Sequence, residues 1–129
     1  MSDHGGKDVI LAVDDTPENM DVVKGALGDD NVIKAAINGM IALTISEKAP
    51  PNQILLDIQM PGMDGFEVMN RLQAVKAIQA VPVIFLTGES NSKIKQRAFE
   101  MGARGFVTKP IDAAVLSDMV TNILSSEEG

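Results

Sequence analysis

Residues 9–19 read VILAVDDTPEN. The run VILAV at 9–13 has no polar residue in it, which is the signature of a strand buried on both faces. It ends in Asp14-Asp15, and Thr16-Pro17 then reads as a helix N-cap with proline at the first helical position. Met20, Val23 and Leu27 follow at helical spacing until Gly28 and the Asp-Asp-Asn stretch after it stop the helix. Strand, acidic turn, helix: the same unit then recurs down the chain.

Residues 32–36 (VIKAA) form a short second strand near an edge, followed by a helix over about 40–48 that ends before Pro50-Pro51. Residues 53–56 (QILL) lead into Asp57 as the third strand. Asp64 with Glu67 has the pattern of a capping box, opening a helix that runs through Leu72 and Val75. Pro82 starts the fourth strand, VIFL at 83–86, and Ser90 or Asn91 caps a helix with Ile94, Ala98 and Met101 on one face. Gly102 ends that helix, GFVT at 105–108 is the fifth strand, and Asp112 caps a last helix with Leu116, Met119, Val120 and Ile123 facing inward. Strands and helices in strict alternation imply a parallel sheet with helices on both faces, an α/β doubly wound fold. The domain is read as 8–124, with flexible tails at 1–7 and 125–129.

The 129 residues suit one domain, and 45% of them are apolar. Four Phe are the only aromatics, so the core is aliphatic, with eight Met to help fill it. Without cysteine there is neither a disulfide framework nor a thiolate metal site. The only histidine, His4, falls in the polar N-terminal stretch and reads as a tail residue. A net charge of −7 repels nucleic acid, so no direct nucleic-acid partner is expected. No apolar run approaches a membrane span and no secretory signal is visible, so a cytoplasmic protein without membrane contact is the expectation.

Polar residues stand where the strands end. The first strand ends in Asp14-Asp15, the third in Asp57, the fourth in Thr87 and the fifth in Lys109-Pro110. Open α/β sheets bind ligands at these carboxyl ends. An order 2-1-3-4-5 would set the first and third strands side by side, so that three carboxylates meet beside a hydroxyl and an ammonium. Such carboxylates repel one another unless a cation joins them, and an all-oxygen set suits Mg²⁺ or Mn²⁺. A carboxylate can also serve as a nucleophile toward phosphorus. Taken singly, each residue has a plainer reading: Asp14-Asp15 as a turn and cap, Asp57 as a strand terminator, Thr87 as turn chemistry. Their joint placement carries the inference.

These stretches resemble a known family. VDDTPEN at 13–19, LLDIQMPGMDG at 55–65, VIFLTG at 83–88 and GFVTKP at 105–110 are together similar to the receiver domain of two-component response regulators. The likeness covers roughly residues 8–124. It implies a flavodoxin-like fold with strand order 2-1-3-4-5, and Asp57 as phosphoacceptor. It further implies that Asp15, Asp57 and the backbone carbonyl of Gln59 bind Mg²⁺ directly, with Asp14 acting through a metal-bound water. Lys109 would pair with Asp57 and later with the phosphoryl group, which Thr87 would also contact. The Lys109–Pro110 bond would be cis. Phe106 takes the place of the family's switch aromatic, Gly88 leaves room beside the phosphate, and Gln59 and Glu89 occupy variable positions that tune dephosphorylation.

The partners so implied are a histidine kinase, a downstream effector domain or protein, and a second copy through the face of the fourth helix, fifth strand and fifth helix. No enzymatic activity is expected beyond the domain's own phosphorylation and dephosphorylation. Haloacid-dehalogenase-type phosphohydrolases share Asp, Mg²⁺, Thr or Ser and Lys, but their nucleophile ends the first strand in an Asp-x-Asp pattern, whereas the pair here is adjacent. A flavodoxin-like carrier would need a hydroxyl- and glycine-rich phosphate loop after the first strand, which is missing. The VDDTPEN start resembles receivers attached to cyclic-di-GMP enzymes. Met40 and Ile41 depart from the family's polar pattern; a more buried second helix is the first reading, an exposed contact the second.

Overall fold

The computed structural model describes residues 7–89 and 91–128, with side chains through 125. His4 and most of the 1–7 tail lie outside the described residues, as does Ser90. The order is β1 (Asp8–Val13), α1 (Pro17–Leu27), β2 (Asn31–Ala36), α2 (Gly39–Lys48), β3 (Gln53–Asp57), α3 (Gly65–Gln73), β4 (Val83–Thr87), α4 (Ser92–Glu100), β5 (Gly105–Thr108) and α5 (Ala113–Glu128). The strands form one parallel sheet in the order β2-β1-β3-β4-β5.

Period-two alternation divides each central strand between two cores. Leu11, Val13, Ile54, Leu56 and Phe85 face α2, α3 and α4, where they pack with Leu43, Phe66, Val68 and Ala98. Ile10, Ala12, Leu55, Ile84 and Leu86 face α1 and α5, against Val23, Leu27, Leu116 and Val120. A strand whose two faces are both covered favours apolar residues at every position, which is why VILAV at 9–13 and VIFL at 83–86 read as unbroken apolar runs.

Four local details differ from the sequence reading. Thr16 occupies the N-cap position of α1, but its side chain makes no cap bond. Asp14 Oδ1 instead accepts from the Thr16 N–H at 2.9 Å. The third helix ends at Gln73, short of Val75. Ala74 and Val75 donate to Arg71 and Leu72 in tight turns, and the chain then leaves the helix axis to bury Ile78. Met40 and Ile41 are exposed, at 58% and 39%, which corrects the buried reading of α2. Ala42, Leu43 and Ser46, at helical spacing from the buried Gly39, form the inner face instead, and Asn38 caps the helix by accepting from the Ile41 N–H. Finally, α5 continues to Glu128 through most of the stretch read as a tail, since no glycine or proline interrupts 113–128. The remaining caps fall where expected: Asp64 accepts from Glu67, Asn91 from Ile94 and Asp112 from Val115.

Candidate functional site

Register brings the polar residues together. Val13 pairs with Leu56 and Asp57 with Leu86, so Asp14, one step beyond Val13, stands beside Asp57. Thr87 pairs with Thr108, and the Lys109 N–H carries that ladder one residue further by donating to the Thr87 carbonyl at 2.7 Å. All four chain segments therefore end at one level of the sheet. Asp14, Asp15 and Asp57 each present a carboxylate oxygen, and these oxygens lie within 4.8 Å of one another. Asp14 and Asp57 are buried while Asp15 is exposed, so the cluster opens to solvent on the Asp15 side.

Lys109 Nζ lies 3.0 Å from Asp14 Oδ2 and 3.0 Å from Asp57 Oδ1. Asp57 Oδ1 also accepts from the Gln59 N–H at 3.2 Å. Asp57 Oδ2 is buried and has no hydrogen-bond partner. Burial raises the Asp57 pKa above the ordinary carboxylate value, and the neighbouring Asp14 charge adds to it; Lys109 and the Gln59 amide offset only part. Burial alone would lower the Lys109 pKa, but the two aspartates outweigh it and the ammonium is held above its ordinary value. One ammonium thus serves two buried carboxylates and leaves an oxygen unpaired. That is the environment a hard cation satisfies, and the all-oxygen donor set fits Mg²⁺ or Mn²⁺.

The other residues singled out from the sequence border this cluster. Thr87 is fully buried, and its hydroxyl oxygen accepts from the Glu89 N–H at 3.0 Å. The Lys109–Pro110 peptide bond is cis. Phe106, half-buried on β5, packs against the core that contains Phe85, its register partner on β4. Two features were not read from the sequence. The Gln59 side chain reaches across to accept from the Gly88 N–H at 3.3 Å. Gly65 is pressed against the end of β3: its N–H donates to the Ile58 carbonyl at 2.8 Å, and an added Cβ would stand 2.7 Å from Ile58 Cα. The spacing Asp57-x7-Gly65 is a signal that close-approach reasoning could have caught.

Residues 10–121 match the family described as response regulator receiver domain. The chain belongs to the response regulator receiver domains. Members of this family act in two-component signalling, with phosphorylation of an aspartate as the general mechanism. The receiver domain is 41% identical over 118 residues to a probable cyclic di-GMP phosphodiesterase of Vibrio cholerae, spanning 92% of this chain and 27% of that protein. It is 32% identical over 118 residues to the protein PilH of Pseudomonas aeruginosa, covering 90% of this chain and 97% of PilH. Its fold matches the chemotaxis protein CheY4 of Vibrio cholerae with a TM-score of 0.86 at 28% identity, over 92% of this chain and 99% of that one. The receiver domain thus spans about a quarter of the phosphodiesterase relative and nearly all of PilH. Among the described residues, no helix is long and apolar enough to cross a membrane.

Proposed function

We propose that Asp57 is the phosphoacceptor of this receiver domain, assigned to residues 8–124, and that Mg²⁺ held by Asp14, Asp15, Asp57 and the Gln59 carbonyl supports the transfer. The observation that carries the assignment is the buried, unpartnered Asp57 Oδ2 beside two further carboxylates and one ammonium. Oδ2 attacks phosphorus, and the bond from phosphorus to the donor's leaving atom breaks. That atom is the imidazole nitrogen of a phosphohistidine on a histidine kinase, or an oxygen of acetate when acetyl phosphate is the donor. The leaving group takes the electron pair, and no proton need leave Asp57 as long as it is ionised. Bound Mg²⁺ supplies charge neutralisation for the phosphoryl oxygens. Lys109 orients the carboxylate before transfer and offers its ammonium to the phosphoryl group afterwards. Thr87 donates a hydrogen bond from its hydroxyl to a phosphoryl oxygen.

A phosphoryl group adds nearly two negative charges and strong acceptors, so it draws Thr87 and Lys109 toward it. The segment after β4 follows, Phe106 packs into the space released, and the face formed by α4, β5 and α5 changes shape. This is a population shift driven by contacts that only one packing makes. That face would receive an effector or a second copy. Where the domain sits in a longer protein, the likeness to the Vibrio cholerae phosphodiesterase makes a cyclic-di-GMP enzyme the first effector to examine. We place the exchange in the cytoplasm, where kinases draw phosphoryl groups from ATP, and assign the domain no further enzymatic activity.

Incubation with acetyl phosphate and Mg²⁺, followed by intact mass, tests the assignment. The wild type is expected to gain about 80 Da, one phosphoryl group, and Asp57→Asn to gain none. An adduct of equal yield on Asp57→Asn would refute it.

A further inference from the structure

We propose that Asn38 is a modification site: its side-chain amide is lost through a succinimide formed with Gly39, by local opening of the first turn of α2 and not by unfolding of the whole chain. The reaction is independent of the phosphoryl chemistry. Asn38 is the one asparagine in the chain that is followed by glycine. Two separate features of the fold bring that pair together. Asn38 is exposed, has extended backbone and caps α2: its Oδ1 accepts from the Ile41 N–H at 2.9 Å, and its main-chain carbonyl accepts from the Ala42 N–H at 3.1 Å. Gly39 lies against α3, where an added Cβ would stand 2.6 Å from Val68 Cγ2 and 2.8 Å from Met63 Sδ. Val68 is buried and β-branched, so it cannot turn aside cheaply, and the close approach of the two helices keeps a glycine here.

At the first helical position the Gly39 N–H has no intrahelical acceptor. Its nitrogen gives its proton to water or hydroxide and attacks Asn38 Cγ. A nitrogen–carbon bond closes a five-membered ring, and the side-chain nitrogen takes up a proton and leaves as ammonia. Water then opens the ring at either carbonyl, giving aspartate or isoaspartate at position 38. With no Cβ on residue 39, the approach of the nitrogen is unhindered. Both hydrogen bonds that close the first turn end on Asn38, so ring closure must break them. Two ordinary hydrogen bonds slow the reaction by about thirtyfold, whereas a need for global unfolding would slow it by several thousandfold or more. Local opening is therefore the faster route. The aspartate product keeps an oxygen for the Ile41 N–H, and its charge suits a helix N-terminus. The isoaspartate product runs the main chain through the former side chain. That adds a methylene to the backbone, and it displaces both the cap and the contact of Gly39 with Val68 and Met63.

The whole chain, held at mildly alkaline pH with and without urea and then cut with trypsin, tests this. Cleavage after Lys34 and Lys48 frees residues 35–48, in which Asn38 is the only asparagine. That peptide is expected to gain about 1 Da as the amide becomes a carboxyl, with the two isomers separated by chromatography. Asn91 is the internal control, because it caps α4 in the same way, accepting from the Ile94 N–H at 2.9 Å, but is followed by Ser92. Asn38 is expected to react faster than Asn91 in the folded chain, and urea is expected to speed Asn38 by about thirtyfold. In Asn38→Ser, which keeps a capping hydroxyl, the peptide is expected to hold its mass. The isoaspartate fraction is expected to melt below the aspartate fraction. Equal rates at Asn38 and Asn91, or a mass gain in Asn38→Ser, would overturn the assignment of the site. Acceleration by urea of about a thousandfold or more would show that only the unfolded chain reacts, and none at all would show that the first turn offers no protection; either overturns local opening. Equal melting of the two isomers would remove the structural consequence.

Discussion

Opposing effects meet on Asp57. Burial and the nearby Asp14 charge disfavour its ionised form, Lys109 and the Gln59 amide favour it, and the balance leaves the pKa raised. A carboxyl that binds its proton more tightly in the folded chain than in the unfolded one adds stability at low pH. That contribution is fully present below the unfolded value of 3.8 and is lost as pH rises through the raised folded pKa. At neutral pH the ionised Asp57 therefore weighs against the metal-free fold. Asp57→Asn keeps the shape and removes the charge, and Asp14 remains as a partner for Lys109. The change removes a charge that burial and Asp14 disfavour while Lys109 keeps Asp14 as its partner, so the variant is expected to be more stable than wild type by about 1 kcal/mol near pH 7 in chelator. The gap is expected to narrow as pH falls through the raised folded pKa of Asp57 and the wild-type carboxyl takes up its proton. Urea unfolding across that range measures it. A wild type more stable than Asp57→Asn throughout would mean that the Lys109 ion pair outweighs burial.

At the scale of elements, the turn from β3 into α3 carries the tightest constraint near the site. Gly65 opens α3, and a methyl group there would run into the Ile58 backbone and the Asp57 carbonyl. Backbone cannot yield as a flexible side chain can. Gly65→Ala is therefore expected to destabilise by about 2 kcal/mol and to slow phosphorylation, because relief of the clash moves Asp57 itself. Gly25, within α1, has no atom within 4 Å of an added Cβ, so Gly25→Ala is expected to stabilise by about 0.5–1 kcal/mol. Denaturant midpoints of both variants check the contrast; Gly65→Ala with wild-type stability and phosphorylation would show that the turn relaxes freely. This turn also marks how far sequence reading reached. The strands were legible because alternate residues such as Leu11 and Ile10 serve different cores, so both faces of VILAV are apolar. Asp14, Asp57, Thr87 and Lys109 were legible as candidates because each directly follows or ends such a run. The end of α3 was not, since Val75 and Ile78 continue an apolar spacing that only the tertiary burial of Ile78 overrides. Nor was the exposure of Met40 and Ile41, because α2 buries the face of Gly39, Ala42, Leu43 and Ser46, less apolar than the face it leaves to solvent. The Gln59–Gly88 contact spans two turns of irregular backbone, where no periodicity exists to predict a side-chain direction.

Over the whole molecule, with a net charge of −7 and a site with three clustered carboxylates, a bound cation is expected to act on folding as well as on chemistry. Simple salt screens surface repulsion over a Debye length of about 10 Å at 0.1 M, and it does so without regard to the site. A cation bound among Asp14, Asp15 and Asp57 acts differently, because it binds the folded chain and not the unfolded one. Its stabilisation grows with concentration, reaching about 2.7 kcal/mol at a hundredfold excess over the dissociation constant. For a chain of this size such a gain raises the melting temperature by on the order of 10 °C. The chain has no Trp or Tyr to report binding by their fluorescence, so calorimetry and far-ultraviolet circular dichroism are the suitable measurements. MgCl₂ is expected to raise the melting temperature well beyond NaCl of equal ionic strength. In Asp15→Ala that excess is expected to vanish while the NaCl response persists, because Asp15 is the exposed member of the cluster and its loss leaves the buried pair with Lys109 as counter-charge. Equal responses to the two salts in the wild type would mean that the carboxylates are balanced by Lys109 and solvent alone. An excess retained in Asp15→Ala would place the cation on Asp14 and Asp57 without it.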